Sequence, residues 1–247
     1  MISVTARLAL GYGSMLVHAI RNRDLLHQGP VRAALSRQIQ VTGVQALPYV
    51  AVVALLFGAV IVTRAIELLG PDDDTVLKAL VWGGIREIGP LVTALIIIVR
   101  SSVAIAAEVA LIRLRSGIHD SHWNDIAHEE EVVLPRVVGA AISSAALVSC
   151  FQFIAIGSAL IASALTLGTA IEYELDSFLT TASWYQVPLS IGKAMLFGAG
   201  IAAVSCYHGL QVKSDVGDLP KAVVAAGVGS LSFVIVVDLI AMAILLR

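Results

Sequence analysis

Of 247 residues, 58% are hydrophobic and 14% charged, and mean hydropathy is +0.89. A soluble domain carries roughly a quarter charged residues, so a chain this apolar needs lipid as part of its solvent. The net charge of −2 carries no basic excess and argues against nucleic acid as a partner. Cys150 and Cys206 both lie inside apolar runs and read as small core residues rather than a disulfide or metal pair.

The first 45 residues form an N-terminal interfacial region. Arg7 precedes an apolar run, Leu8–Ile20, that contains Gly11, Tyr12, Gly13, Ser14 and His18. It leads into Arg21-Asn22-Arg23-Asp24 without a small-x-small cleavage site, so it reads as a retained amphipathic helix at the membrane surface and not as a signal peptide.

Residues 46–247 read as a transmembrane bundle, and with residues 1–45 they form a single domain. A spanning helix needs about 20 mostly apolar residues. The first is Ala46–Thr63, continuing to about Leu69, where Gly70-Pro71-Asp72-Asp73-Asp74 ends it. The second is Ile88–Ile112, interrupted by Arg100 and Glu108. Val137–Ile171 is uncharged for 35 residues, about 52 Å as a helix. That predicts one long tilted helix and an irregular outer segment, with the change at Gly157 or Gly168. The fourth span is about Pro188–Tyr207 and the fifth about Lys221–Leu246, with Asp238 inside it. The expected fold is therefore an all-α integral membrane protein with about five transmembrane helices.

Arginines and lysines gather on alternate loops. Arg7, Arg21, Arg23, Arg32 and Arg37 precede span one; Arg113, Arg115 and Arg136 flank the loop after span two; Lys213 and Lys221 follow span four. The other loops carry Asp72, Asp73, Asp74, Glu172, Glu174 and Asp176. The positive-inside rule predicts a cytoplasmic N-terminus. Lys193, near the outer end of span four, runs against this trend. Small residues recur every four positions, at Ser102, Ala106, Ala110 and again at Ala222, Ala226, Ser230, a pattern that lets helices approach closely in lipid. It suits packing within the chain or a dimer face.

Charges at membrane depth face protein or a water-filled cavity. Arg100, Ala104 and Glu108 share one helical face, but Arg100 and Glu108 are about 12 Å apart along the axis, so each is expected to find a partner on another helix. They read either as a polar element of a substrate path or as ion pairs that fix helix register. Arg86-Glu87 with Pro90 opens span two in the manner of an interfacial cap. Asp238 is deep enough to require neutralisation by Lys193 or Arg100. His119, His122 and His128, half of the six histidines, sit beside Glu129-Glu130-Glu131 without any known metal-ligand spacing; a solvated loop or short docking helix suits them better, and no metal site is assigned. The chain has no phosphate loop and no nucleophile elbow, so ATP chemistry would have to reside on another chain.

The stretch Ile85-Arg86-Glu87-Ile88-Gly89-Pro90-Leu91-Val92-Thr93-Ala94-Leu95 resembles the MlaE/YrbE permeases, membrane subunits of ABC lipid transporters that work with MCE proteins. Arg100, Ala107-Glu108 and Leu134-Pro135-Arg136 fall at matching spacing. So do Ser36-Arg37-Gln38-Ile39, Gly43-Val44, Phe57-Gly58, Lys193, Phe197, Tyr207-His208-Gly209, Gly217 and Asp238. The resemblance covers nearly the whole chain. Departures are Val99, Ser102 and Ala110 for family glycines, and Ser116-Gly117-Ile118-His119-Asp120-Ser121 for the family's coupling-helix sequence.

The resemblance implies a multi-pass protein of a bacterial inner membrane, with no cofactor and no catalytic residue of its own. It implies a permease dimer, separate ATPase subunits holding ATP and magnesium on the cytoplasmic face, an MCE protein outside, and lipid as substrate. Arg86, Glu87, Arg100, Glu108, Lys193 and Asp238 would be the functional polar positions. Arg113, Arg115, Ile118, His119 and Asp120 would belong to the segment that couples to the ATPase. The departures there imply a divergent permease with its own ATPase or the less active half of a heterodimer. Two other readings compete. One is a stand-alone carrier or channel relaying ions through Arg100, Glu108 and Asp238; the other is a membrane metalloenzyme built on His119, His122 and His128.

Overall fold

The computed structural model describes residues 29–69, 83–119, 126–172, 175–176, 186–212 and 216–245, and the described residues are helical with no strand. The expected surface helix at Leu8–Ile20 lies outside them. In chain order, α1 spans Gly29–Thr42, and a 3-10 turn at Val44–Ala46 leads into α2, Leu47–Leu69. A π-turn at Gly84–Ile88 precedes α3, Gly89–Ile97; a second at Ile98–Ser102 joins it to α4, Val103–His119. Then come α5, Ile126–Leu167, α6, Gln186–Leu210, and α7, Leu219–Leu245. Five of the helical stretches are long and apolar enough to cross a bilayer.

The expected spans sit within these helices, but the second is longer and less regular than predicted. It is continuous from the first π-turn to His119, and both π-turns carry charged residues, Arg86 with Glu87 in one and Arg100 in the other. A π-turn widens the helix by one residue and commonly marks a functional site. The long uncharged run lies, up to Leu167, in a single helix of 42 residues, Ile126–Leu167, interrupted by neither Gly157 nor Pro135. It ends at Gly168, whose φ of +68° only glycine adopts freely. Gly168, not Gly157, therefore marks the change.

α5 and α6 are the centre of the bundle. A first core joins Val50 and Ala54 of α2, Ala94 and Ile97 of α3, Leu147 and Phe151 of α5, Phe197 and Ile201 of α6, and Val234 of α7. A second, toward the α1 end, joins Ile105 and Val109 of α4 to Leu134 and Val137 of α5 and to Ala202 and Cys206 of α6. Lipid offers no hydrophobic drive between helices, so close backbone approach supplies the packing. At Gly209 an added Cβ would stand 2.7 Å from the Ala106 carbonyl oxygen. At Gly198 it would stand 2.5 Å from the Ala140 carbonyl oxygen.

The small-residue rows pack inside the chain. Ala106, Ala110, Ala226, Ser102 and Ser230 are all buried. The Ser205 hydroxyl donates to Ser102 Oγ at 2.9 Å, and Ser102 and Ser230 Oγ are 3.3 Å apart. Three helices are stitched by hydroxyls where apolar side chains would hold them apart. Cys206 is buried, Cys150 half-buried, and both are free thiols. The outward faces of α2 and α7 expose Tyr49, Leu55, Leu56, Val224, Ile235 and Leu239 among others, as helices bathed in lipid do.

Candidate functional site

Four charges meet between the first π-turn, α6 and α7. Lys193 Nζ is 2.6 Å from Glu87 Oε2 and 2.5 Å from Asp238 Oδ1, while Arg86 Nε is 3.1 Å from Glu87 Oε1. The side chain of Lys193 is only 9% exposed, that of Asp238 19% and that of Glu87 27%. Two cations and two carboxylates neutralise one another at a depth where any one alone would be costly. The geometry selects Lys193, and not Arg100, as the partner of Asp238. Glu87 stands in the first turn of span two, within the π-turn, and there also accepts from Lys193.

Beside this cluster opens a cavity of about 360 Å³. Arg86, Glu87 and Lys193 stand on its wall, and Leu189, Leu196 and Val237 supply apolar surface. Lys193 Nζ also lies 5.8 Å from the centroid of the Phe197 ring, within the reach of a cation–π attraction. Below it, Gln152 of α5 donates to Ser190 Oγ at 2.6 Å, a buried polar clasp between α5 and α6.

The other two predicted positions belong elsewhere. Arg100, in the second π-turn, reaches back to the turn before α2: Nη1 donates to the Gln45 carbonyl, and Nη2 donates to Gln45 Oε1 at 2.6 Å. Its guanidinium also stands 5.4 Å from the Tyr49 ring centroid. Glu108 accepts from Arg37 of α1 at 3.1 Å and from Arg136 of α5 at 3.2 Å. Arg100 and Glu108 therefore do not pair with each other, and each ties α3–α4 to a different neighbour, as their spacing predicted.

The six positions form three separate assemblies: the four-charge cluster, the Arg100 tie and the Glu108 tie. Sequence reading did not identify Gln45 as a partner, nor Arg37 and Arg136 as the partners of Glu108. The signal for Gln45 is an amide directly before an uncharged span; Arg37 and Arg136 carry no sequence signal beyond loop charge and family landmark.

Between spans two and three, α4 runs to His119 and α5 starts at Ile126, so both flanks of this polar segment are helical. Arg113 is half-buried, Arg115 exposed, and Ile118 and His119 close α4. Asp120 lies outside the described residues, as does His122. Among the described residues, no group of three or more histidine, cysteine or carboxylate side chains is placed to hold a metal ion.

The sequence profile described as Permease MlaE matches residues 35–244. A probable ABC transporter permease protein of Rickettsia felis is 24% identical over 233 residues, covering 92% of this chain and 88% of that protein. A probable ABC transporter permease protein of Rickettsia prowazekii is 26% identical over 200 residues, covering 78% of this chain and 76% of its own. With its five membrane-spanning helices and a match over most of its length, the chain belongs to the MlaE family of ABC transporter permeases.

Proposed function

We propose that the chain is the membrane subunit of an ABC-type lipid transporter, working with a separate ATPase, a second permease subunit and an MCE-domain protein. One observation carries the lipid reading. The cavity of about 360 Å³ beside Lys193 sets apolar side chains against a wall of three charged ones. Its size is within the usual range of ligand sites, and its two-faced lining suits an amphiphile whose head is charged and whose chains are not.

In this reading the N-terminus is cytoplasmic, and the ATPase docks where α4 ends and α5 begins. ATP can move lipid only by stabilising one cavity shape over another. The elements able to carry that bias are physical ties: Glu108 joins α4 to α1 and α5, and Arg100 joins the second π-turn to the start of α2. Neither ATP nor magnesium is needed on this chain. The chain transports and catalyses no reaction of its own.

The test is affinity purification from the native membrane in mild detergent, with mass spectrometry of co-purifying proteins and lipid. Recovery of an ATPase, an MCE-domain protein and stoichiometric phospholipid is expected. Recovery of the chain alone, without ATPase or lipid, overturns the reading in favour of a stand-alone carrier.

A further inference from the structure

Arg100 is a cation without an anion. It sits half-buried in the second π-turn, and its guanidinium donates to the carbonyl and side-chain oxygens of Gln45, both uncharged. A guanidinium has further N–H donors to spend. Among the described residues no carboxylate pairs with it, whereas Arg37, Arg64, Arg86, Arg136, Lys193 and Lys221 each have one.

The contact with Gln45 sets the level of this charge in the bilayer. Gln45 directly precedes the uncharged run of α2, and Tyr49, 61% exposed, stands one turn further on. That is the boundary between headgroups and hydrocarbon, where tyrosine rings gather. The Arg100 guanidinium lies 5.4 Å from the Tyr49 ring centroid. The Tyr49 hydroxyl has no hydrogen-bond partner among the described residues. From here two apolar stripes run toward the bilayer centre. Val99, 77% exposed, and Leu95 form one; Val52 and Leu56 form the other, in line with Tyr49 on α2. A charge at this depth needs a partner, and guanidinium matches the oxygens of a phosphate diester in shape as well as charge.

We propose that Arg100, with Tyr49, binds the phosphate of a membrane phospholipid whose acyl chains lie along these two stripes. The occupant is a lipid of the leaflet at the α1 end of the bundle, held from the side. About 21 Å of helix separate Arg86, on the wall of the cavity beside Lys193, from Arg100. This is therefore a second lipid site, and it does not rest on the lipid-transport reading. A lipid held there braces the tie between the second π-turn and the start of α2.

The experiment uses the purified full chain in a phosphate-free alkyl maltoside. Three probes carry a photoreactive diazirine near the head of one acyl chain: phosphatidylglycerol, phosphatidylcholine, and the matching diacylglycerol without phosphate. Crosslinked residues are mapped by peptide mass spectrometry. Saturable labelling around Tyr49, Val52, Leu95 or Val99 by either phosphate-bearing probe is expected, with diacylglycerol roughly tenfold weaker. Arg100→Gln is expected to reduce that labelling roughly tenfold, while labelling at Leu189 and Leu196 of the other cavity is unchanged. Gln45→Leu breaks part of the tie but leaves the guanidinium, and is expected to keep or raise the labelling. The three-probe comparison on the wild-type chain decides even where Arg100→Gln does not fold. Equal labelling by diacylglycerol, no saturable labelling by either phosphate-bearing probe, or a loss with Gln45→Leu as large as with Arg100→Gln overturns the proposal. So does wild-type labelling in Arg100→Gln. Labelling at Tyr49 with none at Leu189 or Leu196 counts against the transport cavity and supports this site.

Discussion

Lys193 Nζ stands 2.5 Å from Asp238 Oδ1, joining α6 to α7 inside the apolar span, and the same ammonium holds Glu87 of the first π-turn at 2.6 Å. One lysine therefore bridges two carboxylates from two other elements, and Arg86, 3.1 Å from Glu87, supplies the second positive charge. Removing one partner of a buried pair costs roughly 3–5 kcal/mol, whereas replacing every charge with a polar or apolar isostere is often neutral. Lys193→Met should accordingly lower the SDS-unfolding midpoint of the purified protein severely. The quadruple change Lys193→Met, Arg86→Gln, Glu87→Gln, Asp238→Asn should recover most of that stability. If the quadruple variant is no more stable than Lys193→Met alone, the four charges do not form a mutually compensating unit. Lipid transport should stay impaired in the stable quadruple variant, which separates a role in transport from a role in folding.

Arg100 and Gln45 make the second test. The guanidinium spans both the carbonyl and the side-chain oxygen of Gln45 and lies over Tyr49. Lysine supplies a compact charge that cannot reproduce this planar fork. Arg100→Lys should cost about 1–2 kcal/mol and Arg100→Leu more, while Gln45→Leu, which leaves the backbone carbonyl in place, should cost less than either. A double-mutant cycle between Arg100→Leu and Gln45→Leu should give a coupling above about 0.5 kcal/mol. Additive effects would show that the two side chains do not support one another.

How much of this was legible beforehand differs by kind of information. The spans were legible because lipid imposes length and apolarity on every crossing, and Ala46–Thr63 and Val137–Ile171 are long uncharged runs. That Arg100 and Glu108 would not pair was legible too, since helical rise alone separates them. Partner choice was not. On spacing alone Lys193 and Arg100 are equivalent candidates for Asp238; the packing of α6 against α7 decides between them, a matter of tertiary register that periodicity does not encode. The π-turns escaped as well, because one extra residue per turn leaves no compositional trace at Gly84–Ile88 or Ile98–Ser102.

Glu108 tests the coupling idea directly. Its pair with Arg37 is solvent-accessible, with the Arg37 side chain 74% exposed, so the Coulomb gain there is worth at most about 1 kcal/mol. Arg37→Met should thus leave membrane insertion and unfolding nearly unchanged. Glu108→Ala also removes the oxygen facing Arg136, a nearly buried cation, and should destabilise the protein more. It should also lower lipid transport in reconstituted vesicles while insertion and expression persist. Wild-type transport by Glu108→Ala would reduce this residue to a fixer of helix register.

Glycine replacements probe the close crossings that stand in for a hydrophobic drive. At Gly58 of α2, an added Cβ would overlap the Ala155 carbonyl of α5, a backbone atom that cannot rotate away. At Gly200 of α6 the obstacle is the ring of Phe233 on α7, a side chain with some freedom to turn. Gly157 and Gly192 have open space where the methyl group would go. Overpacking costs typically about 1–3 kcal/mol, and mid-helix alanine is intrinsically better than glycine by up to about 1 kcal/mol. Gly58→Ala should therefore be the most destabilising, Gly200→Ala intermediate, and Gly157→Ala and Gly192→Ala neutral or mildly stabilising. Unfolding midpoints in a common detergent decide the ranking. If Gly58→Ala melts with the open-space pair, α2 and α5 are not in backbone contact at that crossing. The contact between α2 and α5 also runs through Phe57 and Phe151, whose ring centroids are 5.7 Å apart. Separation of the two helices by a methyl group at Gly58 should therefore loosen that aromatic pair too, and Phe151→Leu should cost less in the Gly58→Ala background than in the wild type.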